Sequence, residues 1–327
     1  MIKNVVFMGT PEFAIPSLEG LIHSEYKPIL VVSQPDKPKG RNQKLAYTAV
    51  KEVALKNDIQ CYQPEDVNSI DSVEHIRSFK PDIIITVAYG AFLGKELRTM
   101  CPFGIINLHP SLLPLYRGAD PVRSTLLHGD EYCGITVFFI AAKMDSGNII
   151  TQTKYNIGSI FGDRLVKFTD LERYLANEGA NEIINAVNKL SLSQLRYSEL
   201  KNSFQKQNHT LATISSKLEK NTCVANFELS VDEFVKKIFA YSNEPGYCCY
   251  FRGKRIKLLA ASINNRCVND EYPKIKQIHK KEGFVLSLKD GDLLIKEVQF
   301  EGKKQMSAYE FHIGARLEEG EMFHSEI

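Results

Sequence analysis

Through about residue 190, short runs rich in Val and Ile alternate with stretches of helical periodicity, and few architectures accept that rhythm. The runs at 4–8, 28–33, 82–87 and 104–108 have strand length and little polarity, as strands covered on both faces require. Between them, 11–22, 47–57, 69–79 and 94–100 carry helical spacing. Repeated βα units of this kind predict an α/β fold with a mostly parallel sheet. Past residue 130, 134–140 and 148–155 read as two further strands joined by the turn-prone Met144-Asp-Ser-Gly147, and 161–190 reads as helix.

The pattern then changes twice. Residues 191–216 are polar, rich in Ser, Asn, Gln and Lys, and suit an exposed linker. Beyond it, 247–251, 255–261, 283–288 and 293–300 are punctuated by Arg-Gly-Lys and Lys-Asp-Gly-Asp turns and predict a small β-barrel. Ahead of those strands, 230–241 predicts a helix with Ser230 as N-cap and Glu233 completing a capping box. A length of 327 residues is enough for two cores, and the expected division is 1–190, a linker at 191–216, and 217–327.

Composition narrows the classes. With 43% apolar and 24% charged residues the chain is globular rather than disordered, and a net charge of +2 favours no partner. No apolar run approaches the roughly 20 residues that span a bilayer, and the first residues read as a strand start without a leader's basic region, so a cytoplasmic protein without membrane contact is expected. The seven cysteines contain no C-x-x-C pair, and no His or Cys cluster has ligand spacing, so neither a disulfide framework nor a metal site is expected. Gly9-Thr10-Pro11 lacks a full G-x-G-x-x-G and argues against a nicotinamide cofactor. It reads as a tight first turn that opens a helix with Pro11 at its first position.

The chemistry concentrates where the run at 104–108 gives way to Asn107-Leu-His109-Pro-Ser-Leu-Leu-Pro114. In open α/β sheets ligands bind beyond the carboxyl ends of strands. Asn107 and His109, two apart, leave an extended strand on one face. Acyl transfer to an amine needs a donor for the carbonyl oxyanion and a base for the proton of the attacking nitrogen, and an amide beside an imidazole supplies both. Asp145, in the later turn, suits a carboxylate that fixes the imidazole's tautomer and raises its pKa. Alone, Asn-x-His is more often a strand end satisfying loop carbonyls. The proline-bounded loop directly after it and the Asp-bearing turn reverse that balance.

A second candidate is the stretch 34–45, which carries Lys37, Lys39, Arg41 and Lys44 against the single acid Asp36. Basic loops are usually solvated surface. This one is longer than most connections in such folds and follows a strand, where long loops tend to be functional.

Asn107-x-His109-Pro-Ser-Leu-Leu-Pro114, Tyr116-Arg-Gly118 and Asp145-Ser-Gly147 together resemble the signature of the 10-formyltetrahydrofolate-dependent formyltransferases. Phe7-Met-Gly-Thr-Pro-Glu-Phe-Ala14, the 34–45 stretch and Val87-Ala-Tyr-Gly90 are similar to the branch whose acceptor is initiator methionyl-tRNA. The resemblance implies a Rossmann-like catalytic domain followed by a small OB-like β-barrel domain that holds tRNA. It implies catalytic roles for Asn107, His109 and Asp145, with 10-formyltetrahydrofolate as formyl donor. Ser111, Leu112, Leu113, Pro114, Tyr89, Gly90 and Phe92 would contact the folate, and Lys37, Lys39, Arg41 and Lys44 the tRNA acceptor end. No second subunit is expected.

Beyond residue 200 the likeness thins. Where the family usually has tryptophans, this chain reads Asn226-Phe227 and Asn243-Glu-Pro-Gly246, and it has no Trp at all. Leu115 and Asp120 replace a basic and a small residue. Three other readings stay open: a formyltransferase acting on an amino sugar nucleotide, an inactive folate- or RNA-binding homologue, and a hydrolase releasing formate. The basic stretch and the barrel argue against the first, and the intact trio against the second. The third needs water where the amine would sit.

Overall fold

The computed structural model describes every residue except 40–43, 163, 164, 194, 243 and 327. Two compact units divide the chain: Met1–Pro121 with Tyr132–Ile157 and Glu172–Ser216, and Val122–Glu131 with Gly158–Leu171 and Lys217–Ile327.

The first unit is built on a seven-stranded sheet in the order Ile149–Asn156, Tyr132–Phe139, Ile105–His109, Ile83–Val87, Val5–Gly9, Leu30–Val32 and Cys61–Tyr62. From Ile105–His109 to Cys61–Tyr62 every pairing is parallel, and the two remaining strands are antiparallel. Val5, Val6, Phe7 and Met8 are all fully buried. Successive side chains of a strand point to opposite faces, so both faces of this sheet are covered, which explains the unbroken apolar runs. The helices Ala49–Lys56 and Ile70–Ser78 begin where Thr48 and Ser69 accept bonds from backbone N–H groups. The helix Phe168–Leu192 brings Gly179 so close to the sheet that an added Cβ would lie 2.8 Å from the Leu108 side chain.

The first turn differs from expectation. Pro11 precedes a short 3₁₀ turn, Glu12–Ala14, and the α-helix starts only at Ile15. Before it the chain is tightly held: a Cβ on Gly9 would stand 2.8 Å from the Phe7 ring, and the Thr10 hydroxyl donates to the Tyr89 carbonyl at 2.9 Å, just past the neighbouring strand Ile83–Val87. The stretch expected as a loop at 34–45 holds two short strands in antiparallel pairing, Lys37–Lys39 with Lys44–Ala46. Residues 191–216, expected to be exposed and irregular, contain the helix Tyr197–Ser203, and Ile214–Ser215 pair in parallel with Arg117–Gly118. Most of the stretch is exposed, while Gln207, Thr213 and Ser215 bond through their side chains to other loops of the same unit.

In the second unit an antiparallel sheet runs Tyr247–Phe251, Lys254–Asn265, Gly291–Phe300, Gly283–Leu288 and Ile275–His279, with Met306–Ser307 paired to Gly291–Phe300. The C-terminal residues close its ends: Tyr250 exchanges both backbone bonds with His324, and Phe323 N–H donates to Pro273. The helix Val231–Ala240 carries the expected capping box of Ser230 and Glu233. Phe227 is buried and stacks on Phe234 with ring centroids 5.4 Å apart. It serves the core. Among the described residues no helix is long and apolar enough to cross a membrane.

Candidate active site

The register of the central strands fixes Asn107 and His109. Thr86 stands opposite Asn107 on one side and Phe138 on the other, and His109 faces Thr136. The Thr86 hydroxyl, which also reaches the Ile106 carbonyl, donates to Asn107 Oδ1 at 2.7 Å. That bond turns the amide oxygen toward the sheet and leaves the NH2 group as a donor.

His109 is only 4% exposed. Its Nε2 lies 2.8 Å from the Tyr116 carbonyl. A carbonyl only accepts, so Nε2 carries the hydrogen and, in the neutral ring, Nδ1 keeps its lone pair. That lone pair faces Asp145, whose Oδ2 is 3.7 Å away. Burial pushes the imidazole below its ordinary value, against the upward pull of the Asp145 charge and the Tyr116 bond. The expected rise from Asp145 is therefore present but outweighed. The product is a neutral base next to a carboxylate that stabilises its protonated form.

The loops around the trio carry unusual backbone. Ala88, Tyr116 and Asp145 have φ of 47, 57 and 47°, and Gly90 and Gly118 have 87 and 116°. A left-handed L residue costs roughly 1–3 kcal/mol and persists only where its surroundings enforce it. Here the enforcement is visible: Gly118 N–H donates to Asp145 Oδ2 at 2.7 Å, and a Cβ on Gly147 would stand 1.7 Å from the Phe139 carbonyl oxygen.

The residues expected at the folate separate into two groups. Ser111, Leu113 and Tyr89 are buried. Ser111 donates to the Leu115 carbonyl, and Leu113 packs with Phe138 and Ile149. Thr136 donates to the Ser111 carbonyl at 2.7 Å, and Gln152 donates to that of Leu113 at 2.9 Å, so the loop is pinned from the neighbouring strands. Leu112 and Pro114 are half-buried, Gly90 is exposed and Phe92 is 66% exposed. Tyr89 and Gly90 also line a cavity of about 690 Å³ together with Thr10, Gln34, Lys37 and Tyr47. Asn107, His109 and Asp145 are not among its lining residues.

Of the four basic residues, Lys37 is exposed, Arg41 lies outside the described residues, and so do the side chains of Lys39 and Lys44. Asp36, the one acid of that stretch, is occupied directly before the strand Lys37–Lys39. It accepts from Lys51 at 2.5 Å, from Gln63 at 2.8 Å and from the Thr48 N–H at 3.2 Å. Sequence reading did not pick out Thr86 or Gln207, whose bonds to Asn107 and to the Asp145 loop cross 21 and 62 residues, and it quoted Tyr116-Arg-Gly118 without the backbone bonds these residues make to His109 and Asp145.

The pattern described as "Formyl transferase" matches residues 3–179, and that described as "Formyl transferase, C-terminal domain" matches 217–316. The chain belongs to the formyl transferase family. It is 39% identical to a methionyl-tRNA formyltransferase of Kosmotoga olearia, over 97% of this chain and 98% of the relative. A methionyl-tRNA formyltransferase of Thermotoga maritima is 33% identical, with 98% of each chain covered. The fold is shared with the N-formyltransferase from Helicobacter canadensis solved with folinic acid and dTDP-3-aminofucose, at a TM-score of 0.61 and 18% identity over 94% of this chain and all of that one. Within this formyl transferase, the matched segments contain both the trio and the antiparallel sheet.

Proposed function

We propose that this enzyme moves the formyl group of 10-formyltetrahydrofolate to the free amine of initiator methionyl-tRNA, as a cytoplasmic monomer that requires no metal. The observation that carries the mechanism is the buried His109, anchored through Nε2–H and presenting Nδ1 toward Asp145 beside the Asn107 amide. The amine nitrogen attacks the formyl carbon, and the Asn107 NH2 donates to the oxygen that gains charge. His109 Nδ1 takes the proton that the nitrogen loses, and Asp145 stabilises the imidazolium. The bond from carbon to N10 of the folate then breaks, N10 takes up a proton, and N-formylmethionyl-tRNA and tetrahydrofolate leave.

Support for the acceptor comes from the near full-length likeness to relatives named for it and from the basic paired strands. The first unit serves as the catalytic domain, in which Ser111, Leu112, Leu113, Pro114, Tyr89, Gly90 and Phe92 hold the folate, and 217–327 bind tRNA. Lys37, Lys39, Arg41 and Lys44 meet tRNA phosphates, with Asp36 already neutralised by Lys51. The test is transfer of labelled formyl from 10-formyltetrahydrofolate, after exhaustive chelation, to charged initiator tRNA and separately to a dTDP-amino sugar. Label on the tRNA alone is expected. Label on the sugar alone would replace this acceptor with the amino sugar reading.

A further inference from the structure

We propose that Gln207 is a positioning residue for Asp145: its side-chain amide, held by Arg117, sets how far the Asp145 loop reaches toward His109. The proposal rests on the roles given above to His109 and Asp145.

Asp145 sits in a loop between two strands, and its own backbone is left-handed. Something must hold that loop. Gln207 Nε2 donates to the Asp145 carbonyl at 2.8 Å and to the Gly147 carbonyl at 2.8 Å, which uses both of its hydrogens. Gln207 Oε1 accepts from Arg117 Nε at 3.1 Å and Nη2 at 2.5 Å. Only one orientation of the amide satisfies these partners, since carbonyls accept and a guanidinium donates. Nη2 also meets His209 Nδ1 at 2.8 Å. Gln207 and Arg117 are 5% and 8% exposed, so water does not substitute cheaply for these bonds.

Arg117 lies between the two residues that touch the trio. Tyr116 takes the His109 Nε2–H on its carbonyl, and Gly118 gives its N–H to Asp145. The chain around Gln207 grips the same stretch again. Thr213 accepts from Tyr116 N through Oγ1 at 2.8 Å and from Arg117 N through its carbonyl at 2.9 Å, and Ser215 accepts from Ala119 N at 2.9 Å. Gln205 accepts from Ile149 N at 2.8 Å on the far side of the Asp145 loop. A chain of bonds therefore runs from His109 through Tyr116, Arg117 and Gln207 to Asp145. His109 is faced by the Asp145 carboxylate and the Tyr116 carbonyl and meets the Phe138 ring at a right angle, and the Arg117 guanidinium feels the Asp145 charge. Releasing Gln207 frees the element that fixes the distance between carboxylate and imidazole.

Gln207→Met keeps shape and charge but deletes both polar ends. Gln207→Glu keeps an acceptor for Arg117 and turns an oxygen on the two carbonyls. In the full-length chain, kcat, the KM for each substrate, the melting temperature and the NMR titration of His109 are compared with wild type and Asp145→Asn. Both Gln207 variants should lose about 10- to 100-fold in kcat, the scale of a 1 Å misplacement, with either KM changed less than about twofold. In Gln207→Met the His109 titration should move down toward that of Asp145→Asn, and the double variant should move no further. Near-normal kcat with an unmoved titration in a folded variant overturns the proposal. So does a loss that tracks melting temperature while the titration stays put. If one variant fails to fold, the other decides by the same readouts. The titration is read without substrate, so a wild-type chain inactive on methionyl-tRNA would count against the proposed function and leave this test standing.

Discussion

The strand Ile105–His109 and the loop around Asp145 contribute to one site by different means. The strand holds Asn107 and His109 by register: Thr86 and Phe138 flank Asn107 because parallel and antiparallel ladders place them there. The loop holds Asp145 by bonds from Gly118 and Gln207, residues remote in sequence from one another and from Asp145. A position set by periodicity can be read from its neighbours in the chain, whereas a position set by crossing loops cannot.

If the strand carries the chemistry and the loop tunes it, substitutions should rank accordingly. His109→Ala should give the largest effect, a fall in turnover of about 10²- to 10⁴-fold with folate affinity little changed, measured in single-turnover transfer. Asn107→Ala should follow at about 100- to 1,000-fold, the usual loss for one oxyanion donor. Under tenfold would mean that the amide only ties the strand end to Thr86. Thr86→Val leaves the amide in place but removes the hydroxyl that orients it, so a loss of about 1 kcal/mol, roughly fivefold in kcat, is expected. An unchanged rate would show that the register alone orients Asn107.

The paired strands Lys37–Lys39 and Lys44–Ala46 supply the smallest effect. Lys37→Ala should raise the KM for charged tRNA a few-fold, lower the salt slope by about one and leave the KM for folate unchanged. Changing Arg41 and Lys44 together should enlarge the tRNA effect, and an unaffected tRNA constant in both variants would remove this stretch from the RNA contact.

The same contrast explains what the sequence revealed. The parallel strands and the Asn107–His109 pair were legible because burial on both faces leaves unbroken apolar runs and a two-residue spacing fixes a face. The strand Ile275–His279 was not, since only Ile275 is fully buried and the residues after it are polar or half-exposed. Gln207 stood in a polar stretch that composition alone describes as linker, though its amide is consumed by carbonyls of the Asp145 loop. The direction of the His109 shift was missed because spacing reveals a neighbouring carboxylate but not the depth of burial that opposes it. Phe227 was legible as a departure from the family, yet its core role needed the stack on Phe234.

The central claim is a neutral, buried imidazole whose Nδ1 faces Asp145, and nitrogen NMR of His109 in the full-length chain tests it most directly. The account expects hydrogen on Nε2 and a lone pair on Nδ1 at neutral pH, with titration below the ordinary value of about 6.5. Asp145→Asn removes the upward pull and leaves burial, so the titration should move lower still. Titration above that ordinary value, hydrogen on Nδ1 instead of Nε2, or no response to Asp145→Asn would contradict it.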